Sequence, residues 1–571
     1  MAESLNAGKE MSMETRLLLA LLLMGAVLFV TQLFVKTPPP ETAHKTPPAA
    51  VTAPGQPAAA AESAPPVEQT AAPVQAAPTS PPTTQQKLPL LVIDTKLFRL
   101  SFSNQGGTLQ SWQLKKYKGN DGKPLELVNT ASGLDFPFSL YLPDQQPTAK
   151  VINWGWYTQT VDPDGLGVTY NFSDGHTSVK KVFRFQPNSY LCTVSAEVTV
   201  DGKPLPSMLQ WLGGFGDLTI PNPFGSQKTL FFDVSNNKLN ELSARSAKNG
   251  PVTSSGNYSF AGLADTYFAA VFLPEGNAAT QLVTFADTVR TPLDEKAQPT
   301  VGAAISDGAD NRFELFVGPK DVNLLKSINP KLEQVVAFGW MSVLAKPLFL
   351  LVNWFNGAFI HNFGWSIVIV TIALNMMLFP VKLSNMKSMR KMQALKPQID
   401  VINAKYKNLK MTDPRKAEQQ QETMDLYKKH GVNPLGGCFP MLLQIPFFFA
   451  FYTVFRVSVE MRGASWLWVT DLSQPEHLAI RILPIIMIAT QFLMQNMTPQ
   501  PNADPNQQRM MKLMPLIFGF MFYNFPSGLV LYYLTSNLVG IGQQWFFNHT
   551  DTAQAAARSV APPPKKKNGR K

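Results

Sequence analysis

The sequence predicts an α-helical polytopic membrane protein, with an N-terminal anchor and a five-helix core, that carries a large extracytoplasmic all-β sandwich domain. Two observations support this fold class. Uncharged apolar segments of bilayer-spanning character recur in the C-terminal half, whereas residues 88–325 alternate apolar and polar side chains with the period of two that strands require. Charged residues make up only 16% of the chain and hydrophobic residues 45%, so a wholly water-soluble protein is disfavoured.

The N-terminal part is predicted to form an anchor and a tether. The apolar run 17–35 is long enough to span a bilayer and longer than a signal-peptide core, so we expect an uncleaved helix after a cytoplasmic segment 1–16. Residues 36–87 consist mainly of Pro, Ala and Thr, a composition that cannot bury a core. We therefore expect an extended periplasmic spacer, with a partner-binding tract as the alternative.

Strand patterns fill residues 88–325 without a helical stretch of comparable strength. Phe98, Leu100 and Phe102 alternate with polar residues, and the turn sequence NQGG follows them. A second run places Tyr190, Cys192, Val194, Ala196, Val198 and Val200 on one face. These patterns predict a β-sandwich.

No catalytic or metal-binding motif has convincing spacing in this chain. HExxH, G-x-S-x-G, Walker and CxxC patterns are absent from the sequence, and the six histidines are scattered. Asp162 and Asp164 lie in the turn-like sequence DPDG, where a turn role is the simpler interpretation. We therefore expect no enzymatic activity, no metal and no cofactor. A membrane-anchored carbohydrate-binding or sugar-processing protein is an alternative that rests on fold analogy alone.

The pattern becomes helical after residue 325. The predicted order is an interfacial amphipathic helix at 326–360, spans at 361–381, 433–459, 480–497, 511–524 and 529–547, a basic helical hairpin at 382–432, a periplasmic loop at 460–479, a cytoplasmic loop at 498–510 and a basic tail at 548–571. Lys and Arg dominate the hairpin and the tail, so the positive-inside rule places both in the cytoplasm. The β domain is then periplasmic, and both termini are cytoplasmic.

Polar residues within the predicted spans concentrate in the cytoplasmic half of the bilayer. They are Asn375, Gln444, Gln491, Gln495, Thr535, Ser536 and Asn537. The outer halves of the same spans are almost wholly apolar. A channel or transporter needs polar groups along the whole path or a site at the midplane, so this class is the less favoured alternative. A water-bearing recess open to the cytoplasm fits the asymmetry better, while simple helix–helix hydrogen bonding is the plainer alternative.

Three long motifs carry a family resemblance. FGWSIVIVTIAL at 363–374, NPLGGCFPMLLQIPFFFAFY at 433–452 and FPSGLVLYYLTSNLVGIGQQ at 525–544 resemble the YidC family of membrane protein insertases in its long Gram-negative form. The resemblance implies an inner-membrane insertase and chaperone whose five-helix core holds a hydrophilic groove open to the cytoplasm. It also implies nascent membrane proteins as clients, and action alone or beside the Sec translocon.

The resemblance also implies groove residues. Thr371, Gln444 and Tyr533 match family groove positions, whereas Asn375 stands where the family has an arginine four residues after the threonine. We therefore expect a groove that lacks its cation, since Lys382 near the inner mouth does not plainly replace it. The predicted substrate groove comprises Thr371, Asn375, Gln444, Gln491, Gln495, Tyr533 and Ser536.

The basic hairpin and tail supply the predicted cytoplasmic contacts. Apolar residues from Met392 to Leu409 recur at heptad spacing, which predicts a helical seam. Residues expected to contact clients, the ribosome or anionic lipids are Met386, Met389, Lys391, Lys396, Lys565, Lys566 and Lys567. Core packing of the methionines, and a mere topology signal in the tail, are equally good interpretations. Cys192 and Cys438 fall on opposite sides of the membrane, so we expect no disulfide between them.

Overall fold

The computed structural model describes residues 86–220, 227–275, 279–290, 296–308, 311–406, 413–431, 439–498 and 505–560. The predicted anchor, nearly all of the tether, Cys438 and the three tail lysines lie outside these ranges. The described part of 398–426 forms one compact unit, and the other described residues form a second unit.

Nineteen strands occur in the described part of the β domain. They are β1 Leu91–Asp94, β2 Phe98–Ser103, β3 Thr108–Lys118, β4 Pro124–Glu126, β5 Ser139–Tyr141, β6 Thr158–Val161, β7 Gly167–Ser173, β8 Thr177–Phe185, β9 Leu191–Val200, β10 Lys203–Pro204, β11 Met208–Trp211, β12 Lys228–Asp233, β13 Lys238–Leu242, β14 Val252–Gly256, β15 Tyr258–Ala264, β16 Phe268–Pro274, β17 Thr280–Val289, β18 Gln298–Ser306 and β19 Phe313–Pro319.

These strands form three antiparallel sheets. The largest has ten strands in the order β13-β12-β15-β16-β19-β9-β8-β7-β6, with β10 paired to β9; the others have the orders β14-β17-β18-β11-β5 and β1-β2-β3-β4. The two larger sheets meet through buried polar contacts, since the hydroxyls of Thr229 and Thr284 lie 2.7 Å apart and Thr300 donates to Gln227 at 2.6 Å. The predicted sandwich is confirmed.

The predicted alternation corresponds to burial. Phe98, Leu100 and Phe102 of β2 are all buried, while the residues between them are exposed or partly exposed. Gly106 and Gly107 of the NQGG turn have positive φ angles of 65° and 54°. A side chain at Gly106 would clash with a neighbouring backbone carbonyl, so the turn needs glycine here.

One helix interrupts the β domain, which the strand patterns did not predict. Helix α1 spans Gln146–Trp154 and buries Ala149, Ile152 and Asn153. It has only nine residues, several of them β-branched, so its sequence favours a strand by composition. Pro147 in its first turn and the packing of Ile152 outweigh that preference.

The remaining helices follow the β domain. They are α2 Val322–Ile328, α3 Ser342–Phe355, α4 Phe363–Met377, α5 Phe379–Ala394, α6 Lys396–Lys405, α7 Arg415–Lys429, α8 Phe439–Val457, α9 Ile482–Met497, α10 Pro505–Phe522 and α11 Ser527–Val560, with short 3-10 turns at Pro330–Val335, Gly339–Met341 and Val459–Met461 and a π-turn at Asn356–Ile360.

Length and composition single out few membrane-crossing helices among the described residues. Gly339–Ile360 meets both criteria by itself, although we predicted it as interfacial, and α4 with α5 meets them together across a bend of 56°. The bend falls at Pro380, which disfavours a continuous helix. Shorter apolar helices are Leu443–Val457, Ile482–Met497 and Leu513–Phe522. The number of spans therefore stays a prediction.

The tip of the predicted hairpin, 398–426, has its own internal contacts. Asn403 accepts a hydrogen bond from Gln419 at 2.7 Å, and Tyr406 donates to Glu422 at 3.0 Å. Lys405 pairs with the same carboxylate at 3.3 Å. These contacts connect α7 with α6 and with Tyr406, the residue after it, and the cytoplasmic hairpin stays a prediction. Leu409, at the end of the predicted seam, lies outside the described residues.

Candidate functional site

The C-terminal half of α4 carries a buried polar pair. Thr371 and Asn375 are four residues apart, so they share one face of the helix. Thr371 is fully buried and donates to the Ile367 carbonyl at 2.6 Å. Asn375, only 5% exposed, donates to the Thr371 carbonyl at 2.8 Å and to the Ser536 hydroxyl of α11 at 3.1 Å. The predicted groove positions 371, 375 and 536 are therefore neighbours.

Lys382 completes this network, contrary to our expectation of a site without a cation. Its ammonium donates to the Oδ1 atom of Asn375 at 2.6 Å. The amide orientation follows from its partners, because the Thr371 carbonyl can only accept and an ammonium can only donate. Two helical turns separate the two residues in sequence, which puts them on nearly the same face, and the helix bend lies between them.

The positive charge of Lys382 has no carboxylate partner among the described side chains. Its one recorded hydrogen bond goes to the neutral Asn375 amide, and no ion pair of the described residues includes it. The side chain is half-buried. An ammonium that is partly desolvated and held by a neutral acceptor retains its attraction for an incoming anionic group.

Two further helices close the cluster. Gln444 of α8 donates to the hydroxyl of Tyr532 on α11 at 2.5 Å, and Ser536 lies one helical turn after Tyr532 on the same helix. Gln543 of α11 donates to the backbone carbonyl of Asn375 at 3.2 Å. We call the set Thr371, Asn375, Lys382, Gln444, Tyr532, Ser536 and Gln543 the polar cluster. Helices α4, α5, α8 and α11 all contribute to it.

Three predicted groove residues lie apart from these contacts. Gln491 has a buried Oε1 atom without a partner among the described residues, and Gln495 has a partner, but neither has a recorded contact with the polar cluster. Tyr533 packs its ring 4.8 Å from that of Phe522, while the adjacent Tyr532 makes the polar contacts. The tyrosine prediction thus fell one residue away from the hydroxyl that joins the network.

Some of the polar residues instead join helices, as the plainer alternative proposed. Asn537 donates to the Met487 carbonyl at 3.4 Å and to Thr490 at 3.3 Å, which links α11 to α9. Thr535 donates to the Leu531 carbonyl of its own helix at 2.8 Å. The amide of Asn537 and the hydroxyl of Thr535 already have hydrogen-bonding partners within the helices, so these residues are not candidates for ligand binding.

An apolar layer borders the polar cluster. Its buried side chains include Ile367, Val370, Ala450, Phe451, Val454, Phe455, Leu483, Met487, Leu529, Val530 and Leu531. The ring of Phe451 stacks on that of Tyr532 with 4.2 Å between centroids. Tyr532 therefore lies at the boundary, with its ring in the apolar layer and its hydroxyl in the polar cluster.

The residues predicted to make cytoplasmic contacts differ from one another in exposure. Lys391 and Lys396 are exposed, as expected for contact residues. Met389 is buried, Met392 is buried, and Met386 is partly buried. The prediction of exposed client contact is wrong for Met389, and the alternative of core packing holds there, because a flexible thioether fills irregular gaps in a core. Lys565, Lys566 and Lys567 lie outside the described residues.

Sequence reasoning considered Lys382 but discounted it as the missing cation, and it overlooked Tyr532 and Gln543. The spacing of seven between Asn375 and Lys382 was a usable signal, because two residues seven apart share a helical face. Tyr532 and Gln543 offered no comparable signal, since their helix is rich in polar and aromatic residues on every face. Among the described residues no cluster of His, Cys, Asp or Glu has the geometry to hold a metal ion.

Comparisons with known proteins cover both parts of the chain. A family profile described as "60Kd inner membrane protein" matches residues 354–554, and one described as "YidC periplasmic domain" matches residues 90–351. A membrane protein insertase YidC of Syntrophus aciditrophicus is 32% identical over 94% of this chain and 99% of its own. That of Geobacter sulfurreducens is 35% identical over 81% and 87%.

A solved structure is also similar. A crystal structure of an active YidC insertase with its first transmembrane domain resolved is 21% identical, covers 80% of this chain and 94% of its own, and has a TM-score of 0.36. Assignment of the chain to a family therefore rests on the relatives found by sequence.

The β-sandwich followed by apolar helices defines a helical inner-membrane protein with a large periplasmic domain. Within that class, identity of about one third over nearly the whole length is decisive. The chain belongs to the YidC family of membrane protein insertases.

Proposed function

We propose that the polar cluster is the surface on which this insertase receives polar segments of nascent membrane proteins. The single observation that supports this role is the Lys382–Asn375–Ser536 network, in which a cation is held beside an apolar layer. A polar segment that leaves water gains hydrogen bonds at the cluster, while its apolar neighbours pass into lipid. Because the polar cluster occupies part of the bilayer thickness in this proposal, the apolar layer that the segment must cross is thinner than the full hydrocarbon core.

Lys382 takes the part of the family's groove arginine in this proposal. Its ammonium attracts acidic client segments, and Asn375 positions the ammonium toward the space between the helices. We further propose that no covalent chemistry is involved, since positioning and hydration suffice for transfer. The Sec translocon, the ribosome and anionic lipids are proposed partners, reached through the exposed Lys391 and Lys396 and the basic tail.

The proposed topology has both termini in the cytoplasm and five spans after the β domain. Helix α3 lies at the outer interface in this arrangement, because Trp340 in the turn before it and Val343 in its first turn are 82% and 80% exposed, and Trp354 near its end is 54% exposed. Tryptophan favours the interface between headgroups and hydrocarbon. The basic residues of the hairpin lie in the cytoplasm in this proposed topology.

The test is insertion into vesicles that contain purified protein, with two clients that differ only in the translocated tail, one neutral and one acidic. Lys382→Gln should lower insertion of the acidic client about tenfold, near the lower end of what a hydrogen bond to a charged group contributes. Insertion of the neutral client should change little. Protease protection of the tail measures both.

The matched control is Lys387→Gln, which removes an exposed lysine of the same helix and should leave both clients unaffected. The exchange Asn375→Lys with Lys382→Asn should restore insertion of the acidic client, because the charge returns to the same network. Equal loss with both clients would assign Lys382 a structural role only. Failure of the unmodified protein to insert either client would refute the proposed function itself.

A further inference from the structure

The loop that joins α8 to α9 is fastened to the β domain by a buried ion pair. Arg462 of this loop donates to the Lys118 carbonyl at 2.8 Å and pairs with the Asp217 carboxylate. The side chains of Arg462 and Asp217 are 6% and 0% exposed. The guanidinium carbon also lies 5.8 Å from the ring centroids of Tyr267 and Phe268. Removal of either charged partner would leave the other buried and uncompensated.

Hydrogen bonds within the β domain fix the position of Asp217. Its Oδ1 atom accepts from the Thr219 amide at 2.9 Å and the Thr219 hydroxyl at 2.6 Å, and its own amide donates to Asp265 at 2.8 Å. The Oδ2 atom of Asp217 accepts the hydrogen bond from Arg462. The carboxylate is therefore fixed within the β domain, and the cation comes from the helical region.

The same loop is bound to the helices that carry the polar cluster. The Leu472 carbonyl accepts from the Gly528 amide at 2.9 Å, and the Gln474 carbonyl accepts from the Ser527 amide at 2.8 Å, both at the start of α11. Asn362, which caps α4, donates to the Ser465 carbonyl at 3.1 Å. Because the loop is bonded to both, a displacement of the loop relative to the β domain is transmitted to the first residues of α4 and α11.

Glu460 lies two residues before Arg462 and has an unusual environment. Both of its carboxylate oxygens are buried, and neither forms a hydrogen bond of normal geometry with the described residues, although the backbone amides of Glu460 itself and of Val322 lie near them. Burial, and to a lesser degree the charge of Asp321, raise the pKa of Glu460 to about 7 against the opposing effect of those two amides. Tyr117 also faces Glu460, Asp321 and Arg462, and burial raises the Tyr117 pKa above its ordinary value.

Further titratable groups near this contact are Tyr190, Tyr267, Asp265 and Lys320. Burial, together with the charge of Asp321, raises the pKa of Tyr190 to about 12, and burial raises the pKa of Tyr267 to about 12, so both stay neutral over the physiological range. Tyr117 is neutral over the same range. Lys320, which precedes Asp321, is buried, donates to the Asp265 carbonyl at 2.9 Å, and has a pKa that burial lowers to about 8. Glu460 is a carboxyl group of this contact whose charge changes near pH 7, with Asp321 opposing its ionisation, and Glu460→Gln separates its part from that of Lys320.

We propose that Glu460 and Arg462 form a proton-controlled latch between the β domain and the helical region, in which Arg462 holds the contact and neutral Glu460 allows it to close. The latch goes beyond the proposed groove function, which does not require it. Ionised Glu460 would place a buried negative charge beside the partly exposed Asp321, with only the backbone amides of Glu460 and Val322 near it. The contact then loosens, and the β domain gains freedom relative to α4 and α11.

The direction of the pH effect follows from the raised pKa. The open form releases its proton near the ordinary value of 4.5, whereas the closed form keeps it to about 7. Closure is therefore fully favoured below the lower value and weakens as the pH rises toward the higher one. The difference of about 2.5 units sets an upper bound of about 300-fold, and we expect one to two orders of magnitude in the closing equilibrium.

The latch is tested by distance distributions between two spin labels in the full-length protein in lipid nanodiscs. Labels at Lys180→Cys on β8 and Ala479→Cys in the loop report on closure, and both positions are exposed. Cys192→Ala and Cys438→Ser remove the native thiols. At pH 5.5 we expect one narrow distribution, and at pH 8 a broad one. Glu460→Gln should stay narrow at both values, because its amide carries no charge.

Two variants complete the experiment. Arg462→Gln should give a broad distribution at both pH values, and Glu197→Gln, which alters an exposed carboxylate of β9, should behave as the unmodified protein. The latch is overturned if the unmodified protein gives the same distribution at pH 5.5 and pH 8, or if Glu460→Gln retains the full pH response. A narrow distribution in Arg462→Gln would equally exclude the ion pair as the holding contact. Circular dichroism of each variant reports whether it is folded.

Discussion

Gln444 and Tyr532 meet at the boundary between the polar cluster and the apolar layer. The Gln444 amide donates to the Tyr532 hydroxyl at 2.5 Å, while the Tyr532 ring stacks on Phe451 with 4.2 Å between centroids. A tyrosine suits this place because its body is apolar and its tip is polar. The amide of Gln444 and the hydroxyl of Tyr532 are therefore the members of the polar cluster that adjoin the apolar layer.

This boundary predicts one-sided labelling by a small, membrane-impermeant polar thiol reagent. Cysteines at Asn375, Gln444 and Ser536 should react, because they replace members of the polar cluster. Cysteines at Val368 and Phe449, among apolar neighbours, should not react, because a thiolate does not form in a dry apolar setting. The rate of labelling in inverted membrane vesicles measures the difference.

Two native thiols need controls in that experiment. Burial raises the pKa of the Cys192 thiol far above its ordinary value, so this residue should remain inert. Cys438→Ser removes the second thiol and should leave insertion intact, since no catalytic partner for it is evident in the sequence. Labelling at equal rates on both sides of the boundary would mean that the recess is not confined to the cytoplasmic half.

The periodic features of the chain were predictable because each has a repeating physical cause. Phe98, Leu100 and Phe102 alternate with polar residues because a half-buried strand requires it, and the structure buries all three. Helix α1 escaped prediction because tertiary packing of Ile152 overrides its strand-like composition. Its nine residues are too few for a periodic signal to stand out.

The site was predictable in its location but not in its chemistry. The position of Asn375 followed from the family motif and from an amide within an apolar run. The charge of Lys382 did not, because its contact with Asn375 depends on the bend of 56° between α4 and α5 and on the rotamer of a long side chain. Sequence spacing suggests such a contact without fixing it.

Lys181 gives the β domain a distinct pH dependence. Its amine is fully buried and donates to the carbonyls of Gly106 and Phe138 at 2.6 and 2.7 Å. Burial lowers its pKa to about 7, with the charge of Asp135 opposing the shift. The unfolded chain thus binds one more proton than the folded chain between about pH 7 and 10.5, so stability should rise with pH in that window, by at most about 1.4 kcal/mol per unit.

Urea unfolding of the full-length protein, followed by tryptophan fluorescence, measures this slope from pH 7 to 9. Lys181→Met should reduce the slope, because methionine does not titrate, and Lys320, whose pKa burial lowers to about 8, should retain the remainder. Lys180→Met removes the exposed neighbour on the same strand and should preserve it. An unchanged slope in Lys181→Met would show that the amine is charged in the folded protein at neutral pH.

The last prediction concerns Asn375, which holds the ammonium of Lys382 and the hydroxyl of Ser536. Asn375→Leu removes both contacts, so the lysine should turn to water and the recess should become drier. Insertion of neutral and acidic clients should fall severalfold, with the larger loss for the acidic one, because a neutral hydrogen bond contributes about 1 kcal/mol and one to a charged group more. Asn375→Arg should be tolerated, since the arginine replaces the cation that it displaces, and it should keep or raise the preference for acidic tails. Insertion of the paired clients into vesicles measures both variants, with Asn537→Leu as the control for an amide that only joins helices. If Asn375→Leu inserts both clients as the unmodified protein does, Asn375 and Lys382 serve helix packing alone.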